Sequence, residues 1–456
     1  MSGRDGIGAD PALALRLAEE VVRMSEAAGA TEAEALVVSG ESSLTRFANS
    51  EIHQNVSSAE ILVNLRFVRG RRVGVASTGR TDGEGVRALV ERAAAISANV
   101  EELEDWSGLP EADGVEPLDI AWSDGTANAS PELRADGARA VIAAADAAGV
   151  TAFGSFSTDA EAIAVANSKG IRAAERRTTS QLLTVAMGPD DGTGYAEECS
   201  IDATTIDATT IGRESAERAR ASANPVSIDP GDYPVVLHHY AVVDLLDMLG
   251  YLGFSALAVQ EDRSFWEAGR RVGSPLVTIT DDGRDSAGLP MGFDAEGVPK
   301  QRLALLDAGV CRDLAYDQQT GARAGHPSTG HGLPAPNPYG PFPTNMVMNA
   351  GGASMEELVG GIDRGLLVTR FHYTNPVHSK KVLITGMTRD GTFLVEGGRI
   401  VGPVRNLRFT MSYLDALANV EAVSRDRRCI RGFLGGSVVP ALRLSSFSFT
   451  GATAAG

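Results

Sequence analysis

The sequence predicts an α+β fold: an N-terminal domain in which one helix-plus-antiparallel-sheet unit occurs twice, then a β-rich C-terminal domain. Three observations predict it. An order of helix, strands and helix spans about residues 11–105 and recurs over about 131–225. Short matches return at near-equal offsets: Ala27-Ala28-Gly29-Ala30-Thr31 as Ala147-Ala148-Gly149-Val150-Thr151, and Ala48-Asn49-Ser50 as Ala166-Asn167-Ser168. Past residue 226 the texture turns to short strands separated by turn residues.

Residues 11–29 form the first predicted helix. Leu13, Leu15, Leu17, Val21, Val22 and Met24 give its apolar face, with Pro11 suited to its first turn and Gly29 to its C-cap. Strands are expected at Glu34–Ser39, Leu44–Ala48, Ile52–Ser57, Ile61–Val68 and Arg72–Ser77, turning at Asn49-Ser50 and Arg69-Gly70. Arg80–Ala98 is an Ala-rich amphipathic helix, and Trp106–Ser130, rich in Pro, Gly, Asp and Ser, is a connector. The second unit has a helix over Pro131–Gly149, strands over Thr151–Thr158, Glu161–Ala166, Thr178–Met187 and Tyr195–Cys199, and a helix over Ile206–Ala223. This places the N-terminal domain at 1–225 and the C-terminal domain at 226–456.

In the C-terminal domain Tyr233–Leu237 and Leu276–Asp281 are predicted strands and His239–Leu252 a helix. Gln301–Ala308 and Gly309–Leu314 make a hairpin turning at Asp307-Ala308-Gly309. Gly325–Asn345 carries six Pro and four Gly, and a loop of that length in a compact domain is usually functional or mobile. Strands follow at Leu366–Phe371, Lys381–Met387, Thr392–Glu396 and Arg399–Pro403, then a helix at Met411–Val423 and a strand at Ala441–Phe449.

Composition excludes several classes. A chain of 456 residues buries enough surface to need no disulfide staples. With 41 Lys+Arg against 59 Asp+Glu the net charge is −18, which argues against a nucleic-acid partner, because such partners are bound through clustered cations. None of the lysines (Lys169, Lys300, Lys380, Lys381) follows a Gly, so the GK step of a phosphate-binding P-loop is missing. Cys199, Cys311 and Cys429 form no CxxC and are expected to be reduced thiols of a cytoplasmic protein. The first residues show no apolar core behind a basic start, so no signal peptide is expected. Gly250–Val259 is too short to span a bilayer, which takes ~20 residues, so no membrane partner is expected either.

The residues that carry chemistry form no complete constellation by themselves. None of His53, His238, His239, His326, His331, His372 and His378 precedes a Glu, so the H-E-x-x-H zinc motif is absent. Adjacent His238 and His239 point to different faces, and His326 with His331 lacks a third ligand. His372 and His378 flank an Asn375-Pro376 turn; joined by His238 and His239 they are one alternative source of metal ligands. Gly253-Phe254-Ser255-Ala256-Leu257 lacks the last Gly of a nucleophile elbow. Gly192-Thr193-Gly194 and Gly330-His331-Gly332 lack the third Gly of a dinucleotide fingerprint. Asp281-Asp282-Gly283 resembles the start of a calcium loop, but Gly292 stands where its Glu would be.

A string of motifs does point to a family. Arg263-Ser264-Phe265, Val272-Gly273-Ser274 and Thr278-Ile279-Thr280-Asp281-Asp282-Gly283 resemble the TldD/PmbA family, described both as modulators of DNA gyrase and as metallopeptidases. Arg302–Val310, Ser328-Thr329-Gly330-His331-Gly332, Pro343-Thr344-Asn345, Gly365–Val368 and Gly391–Ile400 continue the resemblance in order, over nearly the whole chain. It implies two branches. Members like TldD carry H-E-x-x-x-H upstream of the TxxDDG strand and a Cys near the C-terminus, and these hold a zinc. Members like PmbA, also called TldE, lack those ligands, and the two kinds pair as a heterodimer that degrades or trims unfolded peptides.

In this sequence the matching window is Gly250, Tyr251, Leu252, Gly253, Phe254 and Ser255, which offers no imidazole or carboxylate. Gly435-Gly436-Ser437-Val438 matches the Cys position better than Cys429 does. The resemblance is therefore to the PmbA/TldE branch. It implies a metal-free subunit with no catalytic residue or metal ligand of its own, with zinc and the water-activating Glu in an HExxxH-bearing TldD-like homologue. The implied substrate is an unfolded or small peptide. Arg263, Ser264, His331 (where the loop usually has Asn) and Asn345 are expected to face substrate or partner, as is the Gly325–Asn345 loop. The alternatives are amide hydrolysis in a natural-product or modified-peptide pathway by the same kind of pair, and a non-catalytic binding or chaperone-like module.

Overall fold

The computed structural model describes residues 8–111, 114–116 and 118–452. Residues 1–7, which belong to the signal-peptide expectation, and residues 112, 113 and 117 of the connector lie outside the described residues. The first unit consists of α1 (Pro11–Ala27), β1 (Glu32–Ala48), β2 (Glu51–Arg69), β3 (Arg72–Thr78) and α2 (Gly83–Asn99). After a single turn, α3 (Asp124–Ala127), the second consists of α4 (Pro131–Ala148), β4 (Thr151–Asn167), β5 (Arg172–Met187), β6 (Thr193–Ser200) and α5 (Ala208–Ala221).

The six strands make one sheet in the order β3-β2-β1-β4-β5-β6, so the units meet along β1 and β4. These two pair antiparallel without a break, from Glu34 opposite Asn167 to Phe47 opposite Gly154. Glu41 faces Ala160, and 160 − 41 = 119 falls between the two sequence offsets of 118 and 120. A local two-fold therefore passes through that pair. The repeated Ala-Asn-Ser triplet has a physical role in both halves. Ser50 donates its amide to the Ala152 carbonyl (3.0 Å) and accepts the Ala152 amide on Oγ (3.1 Å). Ser168 makes the same two bonds to Ala33, at 2.8 and 3.0 Å. Each hairpin turn thus clamps the start of the other unit's first strand. Asn49 and Ser50 both have positive φ, the hand that a tight two-residue hairpin requires.

Three expected strand breaks are absent. Glu34–Ser39 and Leu44–Ala48 are one strand, as are Ile52–Ser57 with Ile61–Val68 and Thr151–Thr158 with Glu161–Ala166. Polar runs such as Ser57-Ser58 and Thr158-Asp159 weaken the local strand signal, but continuous pairing to neighbouring strands overrides it.

The C-terminal part contains β7 (Gly231–Leu237), α6 (His239–Leu252), α7 (Ala256–Gln260), β8 (Ile279–Asp281), β9 (Leu303–Asp307) and β10 (Val310–Cys311). It continues through α8 (Gln318–Ala324), β11 (Met346–Met348), α9 (Met355–Gly360), β12 (Arg364–His378), β13 (Leu383–Glu396), β14 (Arg399–Pro403) and β15 (Leu407–Ser412). It closes with α10 (Tyr413–Ala418), β16 (Val420–Arg431) and β17 (Gly436–Ala452). Strands β7, β12, β13, β15 and β17 pair in a ring, because β7 bonds both β12 and β17. Closure removes open sheet edges. Phe371, Phe409 and Phe447, from three of these strands, are buried with ring centroids 4.6–5.3 Å apart. An arm of β11, β8, β9 and β10 extends from β17.

The expected helix Met411–Val423 is wrong. Ser412 caps only the short α10, after which Val420 and Val423 pair with Leu444 and Leu442 of β17. The expected strand Lys381–Met387 begins only at Leu383 and joins Thr392–Glu396 in one strand, kinked at Asp390 and Gly391, which both have positive φ. The first unit has its own core, with Leu17, Val21, Val63, Leu65, Phe67 and Leu89. The second shares one with the C-terminal half, where Val141 and Ile211 join Leu245 and Phe447. Among the described residues no helix is long and apolar enough to cross a membrane.

Candidate functional site

A cavity of about 230 Å³ lies between the six-stranded sheet and the C-terminal loops. Leu36, Val38, Ile163 and Arg177 form the sheet wall; Phe293, Lys300, His331, Phe342 and Leu434 are on the opposite side. A second hollow of about 310 Å³ shares Arg177, Met291, Thr344 and Leu434, and runs along Glu161 to the Arg431–Gly435 turn. Together they form one cleft, apolar at one end and charged at the other, where Glu161 pairs with Arg177.

Asp281 ends β8, which lies between β11 and β9. Its partners come from the chain just before each neighbour: Asn345 precedes β11 and Lys300 lies three residues before β9. The fully buried carboxylate accepts from His331 Nε2 at 3.0 Å and from the Asn345 amide at 2.8 Å, with Lys300 Nζ at 3.5 Å. Lys300 also donates to Thr344 Oγ1 at 2.8 Å. Burial pushes the Asp281 pKa up, but Lys300, His331 and the Asn345 amide together hold it far below the usual carboxylate range. Burial and Lys300 push His331 down, while Asp281 and the Thr329 carbonyl favour its charged form, and its Nε2–H points at Asp281. Nδ1 lies 2.9 Å from both the hydroxyl and the carbonyl oxygen of Thr329.

A second polar cluster contains Glu34, Arg66, Asp294 and Glu296. Arg66 stands directly across from Glu34 and bonds both its oxygens, at 2.7 and 2.8 Å, and also Glu296 at 3.0 Å. Asp294 accepts the amides of Glu296, Val298 and Gly332 at 2.9, 3.0 and 2.6 Å. One guanidinium thus serves two of the three carboxyl groups, Glu34 and Glu296. Burial, with Glu296 beside it, pushes Asp294 up to about 8. Burial likewise lifts Glu34 to about 7 despite Arg66.

Of the four residues expected to face substrate or partner, His331 and Asn345 come together at Asp281. His331 lines the cleft, while Asn345 is wholly buried, its side chain bonding Asp282 and Leu289. Ser264 donates to the Gly253 carbonyl and accepts the Trp266 amide, both at 2.8 Å, and so ties down the end of the 250–255 window. Arg263 makes an exposed ion pair with Glu261. The Gly325–Asn345 loop has no regular structure beyond Gly325. Its stretch from Ser328 to Gly332 is buried, and Ala335 accepts from Asn64 of β2. The residue types alone left Asp281, Lys300, Asp294 and Arg177 without a role. The Thr278–Gly283 string was the available signal for Asp281, but its counter-charge was not visible there.

The 250–255 window and Gly435 are neighbours in space. Tyr251 lies 6.2 Å from the ring of Phe433, whose amide donates to Asp247 of α6 at 3.1 Å. Burial, with Asp244 nearby, lifts Asp247 to about 7. Gly253 and Gly435 there have no room for a side chain, and Gly250 is tightly approached. A Cβ on Gly253 would stand 1.8 Å from the Phe265 ring, one on Gly435 1.8 Å from the Thr344 carbonyl, and one on Gly250 3.1 Å from Met346. The donor chemistry does not fit zinc: Tyr251 and Ser255 supply hydroxyls and the rest of the window nothing. Elsewhere, His238 is bonded to Arg218 at 2.7 Å, and burial with that guanidinium holds it uncharged. His239 faces the Asp426 carbonyl. Among the described residues no three His, Cys, Asp or Glu side chains are grouped as a metal would need, His372 and His378 included.

Three family models match the chain in order: PmbA/TldA metallopeptidase domain 1 over residues 33–97, the central domain over 125–223 and the C-terminal domain over 230–451. The chain belongs to the PmbA/TldD metallopeptidase family. It is 26% identical over 224 residues to the metalloprotease TldD homolog of Buchnera aphidicola subsp. Acyrthosiphon pisum, covering 48% of this chain and 44% of that protein. It is 27% identical over 240 residues to a metalloprotease of Methanothermobacter thermautotrophicus, covering 50% of each. The chain thus spans about half the length of the curated PmbA/TldD relatives it matches. The crystal structure of TldE from Thermococcus kodakarensis superposes with a TM-score of 0.88 at 20% identity, over 95% of this chain and 100% of that one. The PmbA/TldD fold is therefore shared almost throughout.

Proposed function

We propose that this chain is the metal-free subunit of a heteromeric zinc metallopeptidase in the cytoplasm. An HExxxH-bearing TldD-like partner supplies the zinc and the water-activating Glu, and the pair hydrolyses peptide bonds of unfolded or small peptides. One observation carries the reading. Gly250, Tyr251 and Ser255 stand in order where the motif's His, Glu and His would be, and the stretch Gly435-Gly436-Ser437-Val438, which has no Cys, where the Cys would be. Within that stretch the space a side chain would need at Gly435 is filled by backbone. The likeness to TldE supports the same branch. This chain's own contribution is then a wall of the peptide-binding chamber. Leu36, Val38 and Ile163 offer an apolar surface for side chains, and Arg177 and Arg431 offer charge for a peptide's carboxylates.

The test is reconstitution. The chain alone is expected to purify without stoichiometric zinc and to leave a disordered peptide intact. Mixed with an HExxxH-bearing homologue it is expected to form a complex whose peptide cleavage stops on adding a chelator. Chelator-sensitive cleavage by the chain alone would overturn the assignment.

A further inference from the structure

Cys199 lies near the end of β6 and Cys429 near the end of β16, 230 positions apart in the chain. Their sulfur atoms are 3.0 Å apart, about 1 Å from bonding distance. Both are free thiols, as is Cys311, which is buried elsewhere. Cys199 is 2% exposed, whereas Cys429 is only partly buried. The contact with Cys429 and then burial push the Cys199 thiol well above its ordinary range. The two strands belong to different sheets, and two residues beyond Cys429 begins the Arg431–Gly435 turn that walls the cleft.

We propose that Cys199 and Cys429 form a peroxide-driven, reversible disulfide that staples β6 to β16 at the root of the Arg431–Gly435 turn. The more exposed thiol reacts first. The Cys429 thiolate attacks one oxygen of hydrogen peroxide, the O–O bond breaks, and the departing hydroxide takes a proton and leaves as water. Cys429 is now a sulfenic acid. Cys199 Sγ displaces the hydroxyl from that sulfur, and the S–S bond forms. The Cys199 proton leaves with the hydroxyl as a second water. Two thiols lose two electrons and two protons, and one peroxide becomes two waters. A dithiol such as dithiothreitol reverses the change by exchange. The inference stands apart from the peptidase reading, since it involves neither zinc nor substrate.

The experiment uses the full chain, reduced, desalted and treated with hydrogen peroxide in slight excess. Titratable thiols are expected to fall from three to one, with a peptide map showing Cys199 linked to Cys429 within one molecule. The oxidised form should unfold several degrees higher than the reduced form, and amide exchange across 431–435 should slow. Dithiothreitol should restore all three thiols. Cys429→Ser, at a partly buried position, should remove the cross-link and the thermal shift while leaving the reduced protein's unfolding midpoint unchanged. Cys199→Ala provides a second check from the buried side. Three thiols still titrating after treatment, linkage only between molecules, or Cys429 carried to sulfinic acid without a cross-link would each overturn the proposal. Unchanged exchange at 431–435 in the cross-linked protein would overturn the stapling role.

Discussion

Asp294 lines the cavity and Asp281 lies behind its Lys300 and His331, both buried, yet the two carboxyl groups are held in opposite states of charge. Each accepts at least one backbone amide, so hydrogen bonding alone does not separate them. The neighbouring charge does. Lys300 and the imidazole N–H of His331 face Asp281, whereas Glu296 lies beside Asp294 and Arg66 is already shared between Glu34 and Glu296. A desolvated carboxylate survives only beside a cation of its own. One carboxyl group is therefore half of a fixed ion pair and the other holds a proton.

Removing the cation breaks the comparison most severely. Lys300→Met leaves Asp281 without its cation in a dry site, with only the His331 and Asn345 N–H groups facing it, and is expected to cost about 3–5 kcal/mol. Urea denaturation would measure it. Adding Asp281→Asn to the same chain should recover part of the loss, because the orphaned charge is gone. The pH dependence follows from sign. Asp281 has a depressed folded pKa, so its contribution is complete above about pH 4, the unfolded value, and is lost as pH falls through the folded one. A Lys300→Met chain as stable as the parent at neutral pH would show that Lys300 is not the counter-charge.

His331 sharpens the same point at smaller scale. His331→Asn introduces the residue usual at this place in the resembling loop, with a shorter reach toward Asp281. It removes one donor from a buried anion that retains Lys300 and the Asn345 amide. The expected loss is about 1–3 kcal/mol, read again by denaturant midpoint. If His331 acted only on a bound peptide, stability would be unmoved.

The two ends of the cleft also differ in how far they could be foreseen. The duplication was visible in two short matches because Ser50 and Ser168 perform one local task twice. Helix His239–Leu252 was legible because apolar residues fill most of it, interrupted only at Asp244 and Asp247 after its start. The long strands were not, since what carries β1 across Gly40–Ser43 is pairing to β2 and β4. Met411–Val423 misled because its Leu and Ala favour a helix locally, while β17 claims Val420 and Val423 for a sheet. Asp281 stood inside a motif, but Lys300 and His331 reach it through loops whose course no periodicity records. Glu34 and Arg66 face each other only once the register is known. The empty ligand positions were legible by family resemblance; why Gly435 must stay glycine was not, because Thr344 arrives from ninety residues away.

The protonated carboxyl group offers the finest test. Asp294, with its folded pKa raised to about 8, holds a proton that the unfolded chain sheds near pH 4. A raised carboxyl contributes fully below the unfolded value, and its contribution is lost as pH rises through the folded one. Each extra proton in the folded state makes stability fall by about 1.4 kcal/mol per pH unit across that window. Glu296→Gln keeps the shape and an acceptor for Arg66 while removing the like charge, at the cost of the second oxygen that accepts the Gln318 amide. Asp294 should then ionise at lower pH, and the decline in stability between about pH 6 and about pH 8 should flatten. Measured against its own stability at about pH 5, the variant should lose roughly 1 kcal/mol less than the parent by about pH 8. A parallel pair of stability curves would mean that Glu296 is not what raises Asp294, and that burial alone separates it from Asp281.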